Sequence, residues 1–124
     1  MIYSIGIDLV QIKRIKTALD RYGDNFARRI LGEEEREIYR QRINKATFLA
    51  GRFAAKEAVM KALSTNFEKG GLFFRRIQIL NDFYGRPYAH LDDSIREKIF
   101  EKEVKISITH DRETAAAVCV MTGD

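Results

Sequence analysis

The 124-residue sequence holds one cysteine, one proline and no tryptophan. Cys119 cannot close a disulfide within the chain, which excludes a disulfide-knit secreted scaffold. It sits in the apolar run Ala115-Ala116-Ala117-Val118-Cys119-Val120-Met121, the setting of a packed small side chain rather than of a reactive thiolate. With Pro87 the only proline and no Ser/Gly-rich stretch, nothing marks a linker, and residues 1–124 read as one domain without repeats. No run approaches the roughly 20 apolar residues that a membrane span needs. The start Met1-Ile2-Tyr3-Ser4 has no cationic segment, and Asp8 interrupts the apolar stretch too early for a signal peptide. A reducing, cytoplasmic setting is expected, with no membrane partner.

What is present is ordinary for a globular domain: 45% hydrophobic and 32% charged residues, with a net charge of +4. Residues 2 to 9 alternate, with Tyr3, Ile5, Ile7 and Leu9 on one side and Ser4, Gly6 and Asp8 on the other, and predict a strand. From 11 to 22 the spacing becomes helical, with Ile12, Ile15 and Leu19 inward and Gly23 as the stop. Asp24 or Asn25 caps a second short helix through Leu31, and Gly32 precedes a third whose acidic first turn suits the helix dipole. The stretch from about 44 to 64 is the most helical. A loop over 65–71 follows, then a strand at Ile77–Leu80, a turn over 81–87 and a return strand at Tyr88–Leu91. A short helix over 93–101 and two strands, Val104–Thr109 and Ala115–Met121, complete the chain. The predicted class is α+β: a small antiparallel sheet covered on one face by helices.

Several charges stand in unusual places. At about 100° per residue, Phe48, Leu49, Phe53, Val59, Met60 and Leu63 span one broad apolar arc of the long helix, with Arg52 and Lys56 inside it and Glu57 and Lys61 at its edge. A helix without a polar face is buried on most sides, and charges in it need partners or an ionic ligand. The plain alternative is that Glu57 and Lys61 form an i,i+4 pair while Arg52 and Lys56 snorkel to water. Asp8, near the end of the first strand and two residues after Gly6, is either a cap for the next helix or a carboxylate at a sheet rim. If Asp8 and Glu57 converge, two carboxylates with water and substrate phosphates make a usual Mg²⁺ arrangement. His110 ends a strand and steps out where it stops; His90 lies inside the hairpin strand and reads as structural. Between residues 11 and 30, Lys13, Arg14, Lys16, Arg21, Arg28 and Arg29 face only Asp20 and Asp24. This excess of four, equal to the net charge of the whole chain, suits docking of an acidic partner.

Together these residues resemble one family, the holo-[acyl-carrier-protein] synthases, the small 4′-phosphopantetheinyl transferases. The resemblance rests on ordered blocks across nearly the whole chain. Gly6-Ile7-Asp8-Leu9-Val10 and Arg14 come first, then Phe26-Ala27-Arg28-Arg29-Ile30-Leu31 with Glu35 and Tyr39. The most specific block is Phe48-Leu49-Ala50-Gly51-Arg52-Phe53-Ala54-Ala55-Lys56-Glu57-Ala58 with Lys61-Ala62. Gly85-Arg86-Pro87 and Ser107-Ile108-Thr109-His110 with Ala115-Ala116-Ala117 close the set. The absence of tryptophan and the single-lobed length resemble the short class. Gly32 departs from the pattern, standing where Thr or Ser often starts the third helix.

The resemblance implies transfer of the 4′-phosphopantetheine arm of coenzyme A to a serine of apo acyl carrier protein, in fatty acid biosynthesis, releasing adenosine 3′,5′-bisphosphate. By similarity Asp8 and Glu57 hold Mg²⁺, and Glu57 and Lys61 are the catalytic pair, Lys61 meeting the pyrophosphate. Arg52 and His110 contact the 3′-phosphate end of coenzyme A, while Gly85 and Pro87 shape the turn beside adenine. The serine proton leaves through Glu57 or a metal-bound water. Arg14 and Arg21, with Arg28 or Arg29, dock the acidic carrier protein. A homotrimer with active sites between protomers is also implied. Two other readings compete. A small basic nucleic-acid-binding domain lacks interleaved aromatics and any nucleic-acid motif, and an Mg²⁺-dependent phosphohydrolase would use the same Asp8 and Glu57.

Overall fold

The computed structural model describes residues 1–63 and 71–123, with backbone alone for 71–73. The expected loop over 65–71 therefore lies almost wholly outside the described residues. The elements run β1 (Ile2–Gln11), α1 (Ile12–Tyr22), α2 (Asp24–Ile30), α3 (Glu33–Arg40), α4 (Lys45–Ala62), α5 (Gly71–Arg76), β2 (Ile77–Asn81), β3 (Pro87–Leu91), α6 (Asp93–Ile99), β4 (Glu103–His110) and β5 (Thr114–Thr122). All the predicted elements are present. Among the described residues only α5 is additional, in a stretch left unassigned between the expected loop and the strand at Ile77.

Two antiparallel sheets form, β1-β5-β4 and the hairpin β2-β3. The three-stranded sheet packs one face on α4. From β5 it contributes Ala115, Ala117, Cys119 and Met121, all buried, and from β4 the half-buried Val104, Ile106 and Ile108. From β1 the inward side is the small, polar set. Ser4 Oγ donates to the Ala62 carbonyl at 2.6 Å. A Cβ at Gly6 would stand 1.9 Å from the Ala58 carbonyl oxygen, so only glycine lets the strand lie directly on the helix.

The apolar set of β1 therefore faces away from the helices. Ile5, Ile7 and Leu9 are 59%, 66% and 70% exposed. In register beside them lie Val120, Val118 and Ala116 of β5, giving an apolar band on an open sheet face. A band of this kind marks an interaction surface.

α4 is the axis of the molecule and is buried on nearly every side, as its lack of a polar face predicts. Asn44 caps its start, accepting from the Thr47 amide at 3.2 Å. Inside it, Lys56 is fully buried, and its ammonium donates to the carbonyls of Ile30 (2.6 Å) and Phe74 (2.8 Å) and to Glu35 Oε1 (2.5 Å). Glu35 is equally buried. Its Oε1 also accepts from the Gly32 amide and its Oε2 from the Ile79 amide. One ion pair thus ties α2, α3, α4, α5 and β2 together. Neither snorkelling nor a substrate anion accounts for Lys56, because its counter-charge is internal.

The first turn of α3 is capped from outside. Gln78 Oε1, on β2, accepts from the amides of Glu34 (2.9 Å) and Glu35 (3.3 Å). A Cβ at Gly32 would lie 2.6 Å from the middle of the Gln78 side chain, so the glycine makes room for this cap.

Candidate functional site

Two neighbourhoods along α4 carry the predicted site residues. The first lies where α4 meets β1. Ser4 contacts the Ala62 carbonyl and Gly6 faces that of Ala58, so β1 advances two residues for every four of the helix. Those steps match, about 6.8 Å of strand against 6 Å of helix. The same progression brings Asp8 level with the turn of α4 that ends at Glu57. Lys61, one turn beyond Glu57, donates to the Ile7 carbonyl at 2.8 Å and to Asp8 Oδ1 at 3.1 Å. Asp8 and Glu57 are both half-buried. Asp8 is accordingly no helix cap: it stays in β1, and α1 begins at Ile12.

Asp8 beside the Lys61 ammonium, with Glu57 one turn before that lysine on the facing helix, offers hard oxygen donors. They fit Mg²⁺, which takes one or two protein carboxylates and completes its shell with water and phosphate oxygens. Among the described residues no group of three or more His, Cys, Asp or Glu side chains is arranged for a metal.

The second neighbourhood is a groove of about 660 Å³ between the start of α4, the β2–β3 turn and the end of β4. Arg42, Phe48, Gly51, Arg52, Asn81, Gly85, Ile108 and His110 are among the residues that line it. Arg52 Nη2 donates to Asn81 Oδ1 at 2.6 Å, and Asn81 Nδ2 donates in turn to the Gly85 carbonyl at 3.0 Å. The turn is held from its other side by Asp82, which accepts from the amides of Tyr84 and Arg86. Arg52 lies 4.4 Å and Arg42 5.0 Å from the centre of the Phe48 ring.

The Arg52 side chain is only 7% exposed, and its Nε has no hydrogen-bond partner among the described residues. Burial draws its guanidinium down to about 10; Glu35 opposes this and Arg42 adds to it. It is charged at neutral pH. A buried guanidinium with a donor unmet, Arg42 beside it and an exposed His110 opposite make a receptor for a multiply charged anion.

Of the predicted nucleotide-binding residues, Arg52, Gly85 and His110 meet in this groove. Pro87 opens β3 outside its lining, and Lys61 stands with Asp8 instead. Sequence reasoning missed Arg42 and Asn81. Arg42 lies in a polar stretch without periodicity, and Asn81 reads only as a turn residue. The basic residues Arg14, Arg21, Arg28 and Arg29 are all exposed on α1 and α2. Among the described residues Arg28 bonds the neutral Asn25, at 2.8 Å. Their positive surface continues into a hollow between α2 and α3 lined by Arg28, Arg36, Arg40 and Lys45 with Asp24 and Tyr39.

Comparison with known proteins gives the family of the chain. A holo-[acyl-carrier-protein] synthase of Pelodictyon phaeoclathratiforme is 43% identical over 119 residues, covering 94% of this chain and 96% of the relative. The crystal structure of the Neisseria meningitidis holo-[acyl-carrier-protein] synthase superposes with a TM-score of 0.90 at 36% identity, covering 99% of this chain and 100% of that one. The Helicobacter pylori enzyme in complex with coenzyme A gives a TM-score of 0.81 at 32% identity, over 95% and 99% of the two chains. The model of the 4′-phosphopantetheinyl transferase superfamily matches residues 4–119, and the chain belongs to that superfamily.

Proposed function

We propose that this protein transfers the 4′-phosphopantetheine group of coenzyme A to a serine of apo acyl carrier protein, releasing adenosine 3′,5′-bisphosphate. The observation that carries the reading is the buried Arg52, its Nε unpartnered, in a groove shared with Arg42 and His110. That cluster suits the 3′-phosphate of the nucleotide, and the turn at Gly85 and Pro87 borders its base. Relatives solved with coenzyme A support the choice of donor.

Asp8 and Glu57 would hold Mg²⁺, which supplies charge neutralisation at the diphosphate. Lys61 adds a point charge to the same oxygens, and Glu57 stands beside the incoming serine hydroxyl. Displacement at phosphorus asks little else of the protein than positioning and neutralised charge. Arg14, Arg21, Arg28 and Arg29 dock the acidic carrier protein, steering it to the site.

The groove holds Arg52 and His110 but none of Asp8, Glu57 and Lys61. The open face of β1 and β5 is apolar. Both features favour a homotrimer in which each active site lies between neighbouring protomers. None of the described helices is long and apolar enough to cross a membrane, and a cytoplasmic setting suits the proposed substrates.

The test is to incubate the protein with apo acyl carrier protein, coenzyme A and Mg²⁺ and weigh the carrier, with EDTA as control. Gain of one phosphopantetheine mass, absent with EDTA, is expected. No gain with a carrier that a known synthase modifies would refute the reading.

A further inference from the structure

Two lysines of α4 contrast sharply. Lys56 has no exposure and three oxygen partners, so it is fixed. Lys61 is 48% exposed and, among the described residues, held by two contacts, to the Ile7 carbonyl and to Asp8 Oδ1, whose side chain is 17% exposed. Its flexible four-carbon stem leaves it free to swing while its backbone stays in the helix.

The contact with Asp8 has a consequence for the proposed metal site. The oxygen that accepts from Lys61 is one of those a divalent cation would take. An ammonium and a divalent ion on one carboxylate would stand within a few ångströms of each other, where like charges repel strongly even near a protein surface. Each occupancy therefore weakens the other. Glu57 lies one turn from Lys61, so a displaced ammonium remains beside the place where the metal and the diphosphate would sit.

We propose that Lys61 is a built-in placeholder cation at the Asp8–Glu57 site, with two stations. In one it neutralises Asp8 and weakens its hold on the metal; in the other it has moved onto the diphosphate oxygens that arrive with the metal. Metal affinity is therefore weak without coenzyme A and coupled to its binding. The diphosphate draws the lysine off Asp8, and the vacated carboxylate then favours the metal. This rests on the metal and diphosphate roles assigned above.

The experiment is a titration of the full chain with Mn²⁺ alone, without coenzyme A or carrier protein, following free Mn²⁺ by electron paramagnetic resonance. Lys61→Met is expected to bind Mn²⁺ about tenfold more tightly than the parent. Lys61→Gln, which keeps a donor for the Ile7 carbonyl, is expected to show the same gain and serves if the methionine variant does not fold. Lys61→Arg, with its charge retained, should bind as weakly as the parent. Adding Asp8→Asn to Lys61→Met should abolish the gain, which locates the ion. Equal or weaker binding by both neutral variants would overturn the proposal, as would a gain that survives Asp8→Asn. Since no coenzyme A is present, this result is independent of the carrier-mass assay, and either can fail alone.

Discussion

Replacing Lys56 by methionine tests whether the buried ion pair holds the helical layer together. The substitution leaves Glu35 as a buried carboxylate with only the amides of Gly32 and Ile79 as donors. It also orphans the carbonyls of Ile30 and Phe74. Removing one partner of a buried pair costs about 3–5 kcal/mol, because the remaining charge has neither water nor counter-ion. That is a large share of the 5–15 kcal/mol typical of a whole domain. With a urea dependence of about 2 kcal/mol per molar, the unfolding midpoint should fall by about 2 M. At about 4 °C per kcal/mol for a domain of this size, the melting temperature should fall by about 15 °C. Circular dichroism in urea measures both the midpoint and the slope, and the slope should be unchanged. Adding Glu35→Gln removes the stranded charge and keeps an oxygen for one of the two amides, its NH2 replacing the acceptor of the other, so the double variant should regain about 1 kcal/mol over Lys56→Met. A loss under about 1 kcal/mol for Lys56→Met, or a double variant no more stable than the single one, would show that the buried pair does not hold the layer together.

Other expectations concern the strand–helix contact, the groove and a turn. Gly6→Ala forces a Cβ to 1.9 Å from the Ala58 carbonyl oxygen, backbone against backbone, and should cost about 3 kcal/mol or more in a thermal melt; a melting temperature equal to the parent's would contradict the close approach. His110→Ala should weaken coenzyme A binding roughly fivefold by calorimetry, with a smaller effect on single-turnover rate; the reverse pattern would make His110 a participant in the chemistry. Asp111 accepts from the amides of Glu113 (2.9 Å) and Thr114 (2.8 Å), which hold its carboxyl below the usual value of 3.8. A depressed folded value means that the contribution is present above 3.8 and is lost as pH falls through the folded value. Asp111→Asn should therefore flatten the acid limb of a stability–pH curve, and an unchanged limb would remove Asp111 from the account.

Much of this fold can be read from periodicity, because each strand and most helices keep one hydrophobic period for their full length. Two limits have physical reasons. Alternation in β1 separates Ile5, Ile7 and Leu9 from Ser4, Gly6 and Asp8, but it does not say which set turns inward. The answer depends on how closely α4 approaches, and so on Gly6. The helix α5 rests on contacts with α2 and β2 rather than on its own sequence. In the site, Asp8, Glu57, Lys61, Arg52 and His110 attract notice as charges out of place. Their grouping into a metal-fitting cluster and a separate groove does not. Arg52 and Lys56 look alike in sequence, one turn apart in the same apolar arc. Only the fold shows that Lys56 meets Glu35 while the Nε of Arg52 lacks a partner among the described residues. Those partners come from distant parts of the chain, and local spacing carries no information about them.

The cap that β2 supplies to α3 makes the residues at positions 32 and 78 depend on each other. A hydroxyl residue introduced at 32 would bring its Cβ against a Gln78 side chain already pinned by the Glu34 and Glu35 amides. A shorter residue at 78 would leave that first turn with nothing at 32 to take over the bonds. Each single exchange goes downhill, and only the two together preserve the helix start. A chimera that takes α3 from this protein and the hairpin from a relative with Ser or Thr at position 32 would inherit neither arrangement. The weakness would show first as fraying beside Glu35, on which the buried ion pair depends.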